Sequence, residues 1–329
     1  MSGPYRAAVC TALTGPDSIQ IQDRASVPLA RDEVRIATRA AGVNFPDLLM
    51  TYGKYQFRPD PPFIPGMEIA GEVIETGAEV AAVKVGDRVM AGAKGSCFAE
   101  QLVVPSSAVM LLPPALSFEE GSCWRSAAVT AWHALHDKAG LQAGETALIL
   151  GASGGVGMAA IKLAKHFGAT VIGTGSTQSK RDAILAAGAD HALDPAEEGL
   201  SDQVKVLTGG KGVDVVFDPV GGALSIKATR AIAWGGRFLI VGFASGEIPS
   251  FPANHALIKG YSLIGLRAGE ASRRDPDLAL RTQASLRELA ATGAMRPHIS
   301  QTFKLESVAD ALRALETRTV IGRAVITMA

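Results

Sequence analysis

The chain has 329 residues, of which 47% are apolar and 19% charged, and its 32 basic residues balance its 32 acidic ones. A chain of this length can bury a large core and usually forms two domains, and its neutral charge balance argues against an electrostatic nucleic-acid binder. No run reaches the ~18 apolar residues that a membrane span requires. The first residues lack the apolar core of a signal peptide, and the three cysteines are far apart, so we expect a cytoplasmic protein.

Residues 1 to about 125 read as short strands separated by glycine and proline. Strands are predicted over Glu33–Thr38, Ile69–Ile74 and Arg88–Met90. Turn signals at these intervals are typical of an all-β barrel or sandwich. The proline-rich segment Phe57–Phe63 is predicted to be a loop over a site or on the surface.

From about residue 126 to 263 strands alternate with helices. Short apolar strands joined by helices predict a parallel sheet that is covered on both faces. The predicted elements are the strands Ala147–Leu150, Thr170–Thr174, His191–Leu193, Val213–Asp218 and Arg237–Val241, and the helices that begin at Met158, Ser179, Ser201 and Leu224.

The tail from about residue 264 mixes helices and strands. The predicted elements are the helices Asp277–Thr292 and Ser307–Glu316 and the strands Ile299–Phe303 and Ala324–Thr327. With strands at both ends of the chain, we expect the tail to complete the first domain. The predicted domains are therefore 1–125 with 264–329, and 126–263.

A glycine-rich turn follows the strand Ala147–Leu150 and opens the helix that begins at Met158. Its residues Ala152, Gly154 and Gly157 match the dinucleotide fingerprint G-x-G-x-x-G, with alanine in the first place. A strand that turns into a helix through glycines presents main-chain N–H groups at the helix N-terminus, where a pyrophosphate binds. This context predicts a nicotinamide-dependent oxidoreductase.

The coenzyme preference is read from the end of the next strand, Thr174-Gly175-Ser176. A site for NAD usually places Asp or Glu there, which binds the ribose 2′-hydroxyl. This chain has no acid nearby until Asp182 and offers Ser176, Lys180 and Arg181 instead. A hydroxyl and cations attract a 2′-phosphate, so we predict NADPH over NADH. The alternative is that Lys180 and Arg181 only form a solvated helical turn.

Further motifs give a resemblance over essentially the whole chain. They are Ala41-Gly42-Val43-Asn44-Phe45-Pro46-Asp47, Pro65-Gly66-Met67-Glu68-Ile69-Ala70-Gly71, Val85-Gly86-Asp87-Arg88-Val89, Val129-Thr130-Ala131-Trp132 and the glycine-rich turn. With them the chain resembles the zinc-independent quinone oxidoreductases of the medium-chain dehydrogenase/reductase superfamily, the zeta-crystallin-like branch.

The resemblance implies an α/β fold in which a GroES-like β-barrel domain contains an inserted Rossmann domain, a doubly wound parallel sheet. It implies that NADPH and the substrate meet in a cleft between the two domains. It also implies a homodimer, for which the edge strand Tyr261–Gly265 is the candidate segment. An ordinary core strand is the open alternative for this segment.

The resemblance further implies which residues contact the cofactor. Some relatives carry a tyrosine that covers the adenosine phosphate, and Pro195 stands in its place here. The implied contacts are Gly154, Gly155 and Val156 for the pyrophosphate, Ser176 and Lys180 for the 2′-phosphate, Val241, Gly242, Phe243, Thr130 and Asn44 for the nicotinamide half, and Arg318 as a basic position near the cofactor.

Zinc enzymes of the same superfamily bind their catalytic metal at the positions that hold Asn44 and Met67 here. An amide and a thioether are poor zinc ligands, so we expect no metal site. His133 and His136 stand three residues apart in a helical pattern without an apparent third ligand. We expect these histidines on a helix surface or between domains.

Without zinc, alcohol oxidation lacks the Lewis acid that stabilises an alkoxide, whereas an electrophilic quinone or activated C=C needs only hydrogen-bond donors and a proton. We therefore expect hydride transfer from NADPH to a quinone or α,β-unsaturated carbonyl. Asn44 and Tyr55 are the candidate catalytic groups. Tyr52 is the alternative to Tyr55, and either tyrosine can instead be a lid residue without a chemical role.

Two further charged residues have expected roles. Asp47 is expected to fix the conformation of its loop. Arg267 either reaches the cofactor or forms a surface ion pair.

Two other functions stay open from the sequence. One is an enoyl-thioester reductase, which requires a basic entry for coenzyme A phosphates that the sequence does not reveal. The other is a non-catalytic NADPH-binding protein, as lens crystallins of this branch exemplify.

Overall fold

The computed structural model describes residues 3–196 and 199–328. By their internal contacts the residues form two units, 1–125 with 296–329 and 126–295. Among the described residues, no helix combines the length and the apolar character needed to cross a bilayer.

The first unit opens with short strands and two short helices. Ser117 caps the second helix, since its hydroxyl accepts from the N–H of Glu120, 3.1 Å away. The elements are β1 (Tyr5–Cys10), β2 (Ile19–Arg24), β3 (Glu33–Val43), α1 (Phe45–Thr51), β4 (Glu68–Thr76), β5 (Arg88–Gly92), β6 (Gln101–Pro105), β7 (Val109–Leu111) and α2 (Phe118–Ser122).

The second unit alternates strands with helices, as predicted. Its elements are α3 (Arg125–Trp132), which continues as a π-helical turn (His133–Lys138), then β8 (Thr146–Ile149), α4 (Gly155–His166), β9 (Thr170–Thr174), α5 (Gln178–Ala186), β10 (His191–Leu193), α6 (Leu200–Leu207), β11 (Val213–Asp218), α7 (Gly222–Thr229), β12 (Ile232–Ile240), α8 (Ala253–Lys259), β13 (Ser262–Gly265), α9 (Ala268–Arg274) and α10 (Pro276–Ala291).

The tail returns to the first unit through β14 (Ile299–Lys304), α11 (Val308–Glu316) and β15 (Arg323–Thr327). β15 pairs antiparallel with the second half of β3, while β14 runs parallel to β15. The first half of β3 pairs with β6, and its whole length follows β4. The tail thus supplies two strands of a seven-stranded sheet, whose order is β14-β15-β3-β4-β5-β7 with β6 beside β3.

The second unit holds a six-stranded, all-parallel sheet of order β10-β9-β8-β11-β12-β13. Its central strands β8 and β11 are buried except at Thr146 and Asp214, which are partly exposed, in agreement with the predicted apolar runs. From β8 the chain first adds strands on one side and then, from β11, on the other. This reversal makes the carboxyl ends of β8 and β11 the switch point, where open parallel sheets bind their ligands.

The second domain boundary differs from the one that we predicted after residue 263. The residues up to 295 group with the parallel-sheet unit. β13 pairs with β12, and α9 and α10 pack on one another before the chain returns to the first unit. A helical pattern alone does not reveal on which unit a helix packs.

Candidate functional site

The glycine loop (residues 151–157) connects β8 to α4 and includes the first three residues of α4, which begins at Gly155 rather than at Met158. Gly151 has a φ of +56°, a left-handed conformation that glycine adopts without strain. Its N–H donates to the hydroxyl of Thr174 at 3.1 Å. A Cβ on Gly157 would lie 2.6 Å from the carbonyl oxygen of Gly151, so only glycine fits there.

The loop offers main-chain donors at the start of α4. Gly155 and Val156 are the first two residues of α4, whose first-turn N–H groups have no intrahelical acceptor. The N–H of Gly154 instead donates to the carbonyl of Gly151 at 3.0 Å. Gly154 therefore contributes open space rather than a donor. The helix N-terminus and this space fit the pyrophosphate of a dinucleotide.

Asp218 organises the neighbouring loop at the end of β11. Its buried carboxylate accepts from the N–H of Val220 at 2.8 Å, from the N–H of Gly221 at 3.0 Å and from the hydroxyl of Ser225. Burial raises the pKa of the Asp218 carboxyl, and these three donors oppose the rise. We did not single out Asp218 from the sequence, although an acid at a strand end before Pro-Val-Gly-Gly was the available signal.

Val241, Gly242 and Phe243 follow β12 at the same edge of the sheet. The N–H groups of Val241 and Gly242 donate to the carbonyl of Asp218 at 2.9 and 3.3 Å. Phe243 packs near Gly221 and keeps 38% of its surface exposed. The structure thus brings these three predicted cofactor residues to the switch point.

The predicted phosphate residues stand where β9 ends. Ser176 is exposed after buried Thr174 and Gly175, and Lys180 lies in the first turn of α5. A Cβ on Gly175 would lie 2.8 Å from the Ile184 side chain, so an acid at that position would displace its neighbour.

Arg181 differs from the sequence interpretation, which grouped it with Lys180 as a phosphate-attracting cation. Its guanidinium is paired with Asp194 at 2.7 Å, and the same nitrogen donates to the carbonyl of Gly175 at 2.9 Å. A second nitrogen donates to Gln178 at 3.1 Å. Arg181 is therefore committed to protein partners.

Thr130 lies in α3, far in sequence from the loops that follow the strands of the parallel sheet. Its hydroxyl donates to the carbonyl of Ser126 at 2.8 Å.

The π-helical turn that follows α3 contains the histidine pair. His133 and His136 contact the two carboxylate oxygens of Asp137 at 3.0 and 2.8 Å. We expected both histidines on a helix surface or between domains, and the structure exposes His136 but buries His133.

The first unit contains a buried polar cluster of four side chains, Asn44, Asp47, Glu68 and Arg323. Arg323, from the tail, pairs with Glu68 and donates to the amide oxygen of Asn44 at 2.9 Å. The Asn44 amide nitrogen donates to Glu68 at 3.0 Å and to the carbonyl of Gly42 at 3.4 Å. Asn44, predicted to face the substrate oxygen, thus has all its amide groups engaged within the protein.

Asp47, the fourth member of the polar cluster, is fully buried. Its Oδ2 atom accepts from the N–H of Asn44 at 2.8 Å, which fixes the start of α1, and its Oδ1 atom lacks a partner within the described residues. Burial raises the pKa of the Asp47 carboxyl to about 7, and the charge of Glu68 adds to the rise. Hydrogen bonds from main-chain N–H groups and the charge of Arg323 oppose it.

The two candidate tyrosines follow α1. The hydroxyl of Tyr52 donates to Glu316 at 2.7 Å, and this bond raises the pKa of the Tyr52 phenol. Tyr55 is half-buried, and its carbonyl accepts from Arg58 at 3.0 Å.

Arg318 lies just past α11 and has a φ of +57°, a left-handed conformation that is energetically unfavourable for a residue with a side chain. Strained residues concentrate at functional positions.

The residues at the positions of the zinc ligands do not fit zinc. The guanidinium of Arg323 lies 2.9 Å from the Asn44 oxygen, so a dication there would meet a buried positive charge. Cys97 and Cys123 are buried, and burial raises the pKa of the Cys123 thiol to about 12, far from the thiolate that zinc requires. No group of three His, Cys, Asp or Glu residues capable of holding a metal occurs in the part of the chain that the structure describes.

Comparison with known proteins agrees with this architecture. The family model for the alcohol dehydrogenase GroES-like domain matches residues 30–114, and that for zinc-binding dehydrogenase matches residues 155–283. The chain is 39% identical to quinone oxidoreductase-like protein 2 homolog of Nematostella vectensis over 326 residues, 98% of this chain and 88% of that protein.

Solved structures resemble the whole chain. A mycobacterial protein complexed with NADPH matches with a TM-score of 0.90 and 28% identity, over 98% of this chain and 99% of the other. An NAD-dependent alcohol dehydrogenase matches with a TM-score of 0.89 and 29% identity, over 98% of this chain and all of the other. The structures similar to this chain thus include one complexed with NADPH and one of an NAD-dependent enzyme.

A GroES-like unit combined with a Rossmann unit defines an oxidoreductase of the medium-chain dehydrogenase/reductase superfamily. Within that superfamily, the chain belongs to the quinone oxidoreductase-like family.

Proposed function

We propose that the protein transfers hydride from NADPH to a quinone or a related α,β-unsaturated carbonyl, without a metal ion. The observation that carries the proposal is the glycine-lined N-terminus of α4 beside a strand end where Ser176 and Lys180 stand in place of an acid. When bound there, the nicotinamide supplies the hydride. The protein supplies position and electrostatics.

Different residues of the chain bind different parts of the cofactor. Gly155 and Val156 donate main-chain N–H groups to the pyrophosphate, and Gly154 leaves room for it. Ser176 and Lys180 take the 2′-phosphate. Val241, Gly242 and Phe243 line the nicotinamide half, with Thr130 and Arg318 as further contacts from the family pattern.

We assign the Tyr55 hydroxyl to the substrate oxygen, and the Tyr52 hydroxyl donates to Glu316. The Asn44 amide acts by shaping its surroundings, since its groups bind Glu68, Gly42 and Arg323. An electrophilic acceptor then needs one donor and a solvent proton after the hydride arrives.

We also propose that the two units have separate roles and that the protein forms a dimer. Residues 126–295 hold the nucleotide, and residues 1–125 with 296–329 serve the substrate. β13 is an edge strand of the parallel sheet, with exposed Leu263, and pairing of this edge with a second copy would give a homodimer. Three buried free cysteines support a reducing, cytoplasmic location.

The test is turnover with purified protein. NADPH is mixed with 9,10-phenanthrenequinone or 1,4-benzoquinone, and its oxidation is followed at about 340 nm. We expect oxidation with NADPH and slower oxidation with NADH. Tight NADPH binding without oxidation by any quinone or enone would favour a non-catalytic binder, and stoichiometric zinc in the purified protein would overturn the metal-free mechanism.

A further inference from the structure

Arg181 joins two strand ends that the nucleotide's adenosine side would approach. One guanidinium nitrogen donates both to Asp194 Oδ2 at 2.7 Å and to the carbonyl oxygen of Gly175 at 2.9 Å. Gly175 directly precedes Ser176. The Asp194 carboxylate therefore neighbours the backbone that carries the predicted phosphate residues.

Asp194 follows β10, and β10 lies beside β9 in the parallel sheet. Its second oxygen accepts from the N–H of Ala196 at 2.9 Å, which fixes the carboxylate at this edge. Both partners of the pair are four-fifths buried, with side-chain exposures of 20% for Arg181 and 19% for Asp194. A pair shielded to this degree holds its geometry better than an exposed one.

The position of Asp194 creates a conflict that Arg181 resolves. In dinucleotide-binding sheets the adenosine ribose lies beside the end of the second strand, which is β9 here. A bare carboxylate next to that strand end repels a 2′-phosphate, and a neutralised one does not.

We propose that the Arg181–Asp194 ion pair determines coenzyme specificity. Arg181 is a positioning residue that neutralises Asp194, and the 2′-phosphate contacts Ser176 and Lys180 rather than Arg181. This inference rests on the nucleotide site of the proposed function.

The experiment titrates NADPH and NADH separately into wild type, R181M, D194N and the double variant R181M/D194N by calorimetry. R181M exposes the carboxylate, so the Kd for NADPH should rise about tenfold while that for NADH changes less than about threefold. The double variant has no charge to mask, so its Kd for NADPH should return to within about threefold of wild type. D194N alone should bind NADPH at least as tightly as wild type.

A matched control is available at the other end of the same strands. Lys165 pairs with Asp190 at 2.8 Å, just before β10, on the amino side of the sheet. K165M should leave both affinities unchanged. Thermal unfolding and NADH binding report whether each variant is folded, and D194N keeps the proposal testable if R181M does not fold.

Four outcomes would overturn the inference. If R181M and the double variant lose NADPH affinity equally, Arg181 contacts the phosphate itself. If R181M weakens NADH as much as NADPH, or weakens neither, the pair does not set specificity. If D194N weakens NADPH, the carboxylate is a nucleotide contact. Failure of the wild type to bind either nucleotide would instead refute the proposed function.

Discussion

The glycine loop of the second unit and the polar cluster of the first unit are built by opposite means. The loop is made of backbone, and its glycines leave donors at the start of α4 open to a ligand. The polar cluster is made of side chains that bind one another, so Asn44 has its amide engaged by Glu68 and Arg323. The first arrangement offers donors to a partner, whereas the second binds the Asn44 amide within the protein and leaves Oδ1 of Asp47 and Nε of Arg323 without a partner among the described residues.

The substitution with the largest expected effect disrupts the polar cluster. R323M leaves Glu68 buried without its cation and Asn44 without a donor, which should lower the free energy of unfolding by about 3–5 kcal/mol. Urea denaturation measures the change. R313M is the matched control, because Arg313 also lies in the tail but its ion pairs are exposed, and we expect little change there. Equal losses in both variants would show that burial of the Arg323 pair has no special importance.

Asp47 makes the stability of the polar cluster depend on pH. Its pKa of about 7 in the folded protein exceeds the ordinary value of an aspartate, so the folded state holds a proton that the unfolded state releases. Stability from this group is therefore fully present at low pH and is lost as the pH rises toward 7.

D47N removes that proton, so its stability relative to wild type should increase by about 2 kcal/mol between pH 5 and pH 7. Denaturation curves of both proteins across this range measure the difference. A constant difference would show that Asp47 does not titrate in this window.

Two glycines separate folding from binding in the glycine loop. The methyl group of G157A would press on the backbone oxygen of Gly151, which should cost about 1–3 kcal/mol of stability. The methyl group of G154A meets only ordinary contact, 3.4 Å from the same oxygen. G154A should therefore fold normally yet bind NADPH about tenfold more weakly, because the methyl group occupies the approach of the pyrophosphate. Unaltered NADPH binding by folded G154A would place the pyrophosphate elsewhere.

The smallest expected effect concerns Arg318. Glycine relieves the left-handed backbone there, so R318G should stabilise the protein by about 0.5–1 kcal/mol. If Arg318 contacts the cofactor, the same variant binds NADPH more weakly despite its higher melting temperature. A stabilised variant with unchanged NADPH affinity would remove Arg318 from the site.

The sequence predicted the parallel sheet closely, with strands such as Thr170–Thr174 and Val213–Asp218 found as expected. These elements can be predicted from the sequence because apolar runs and glycines reflect the local backbone conformation. The engagement of Asn44 by Arg323 was not predictable, since 279 positions separate the two residues. The same reason applies to Arg181, whose partner Asp194 lies on another strand end.

The most direct test of the cofactor site is hydrogen–deuterium exchange with and without NADPH. We predict slower exchange of the amides of Gly155, Val156 and Gly157 when NADPH is present, and less protection by NADH at the same concentration. No protection of these amides at a saturating NADPH concentration would contradict a dinucleotide site at the start of α4.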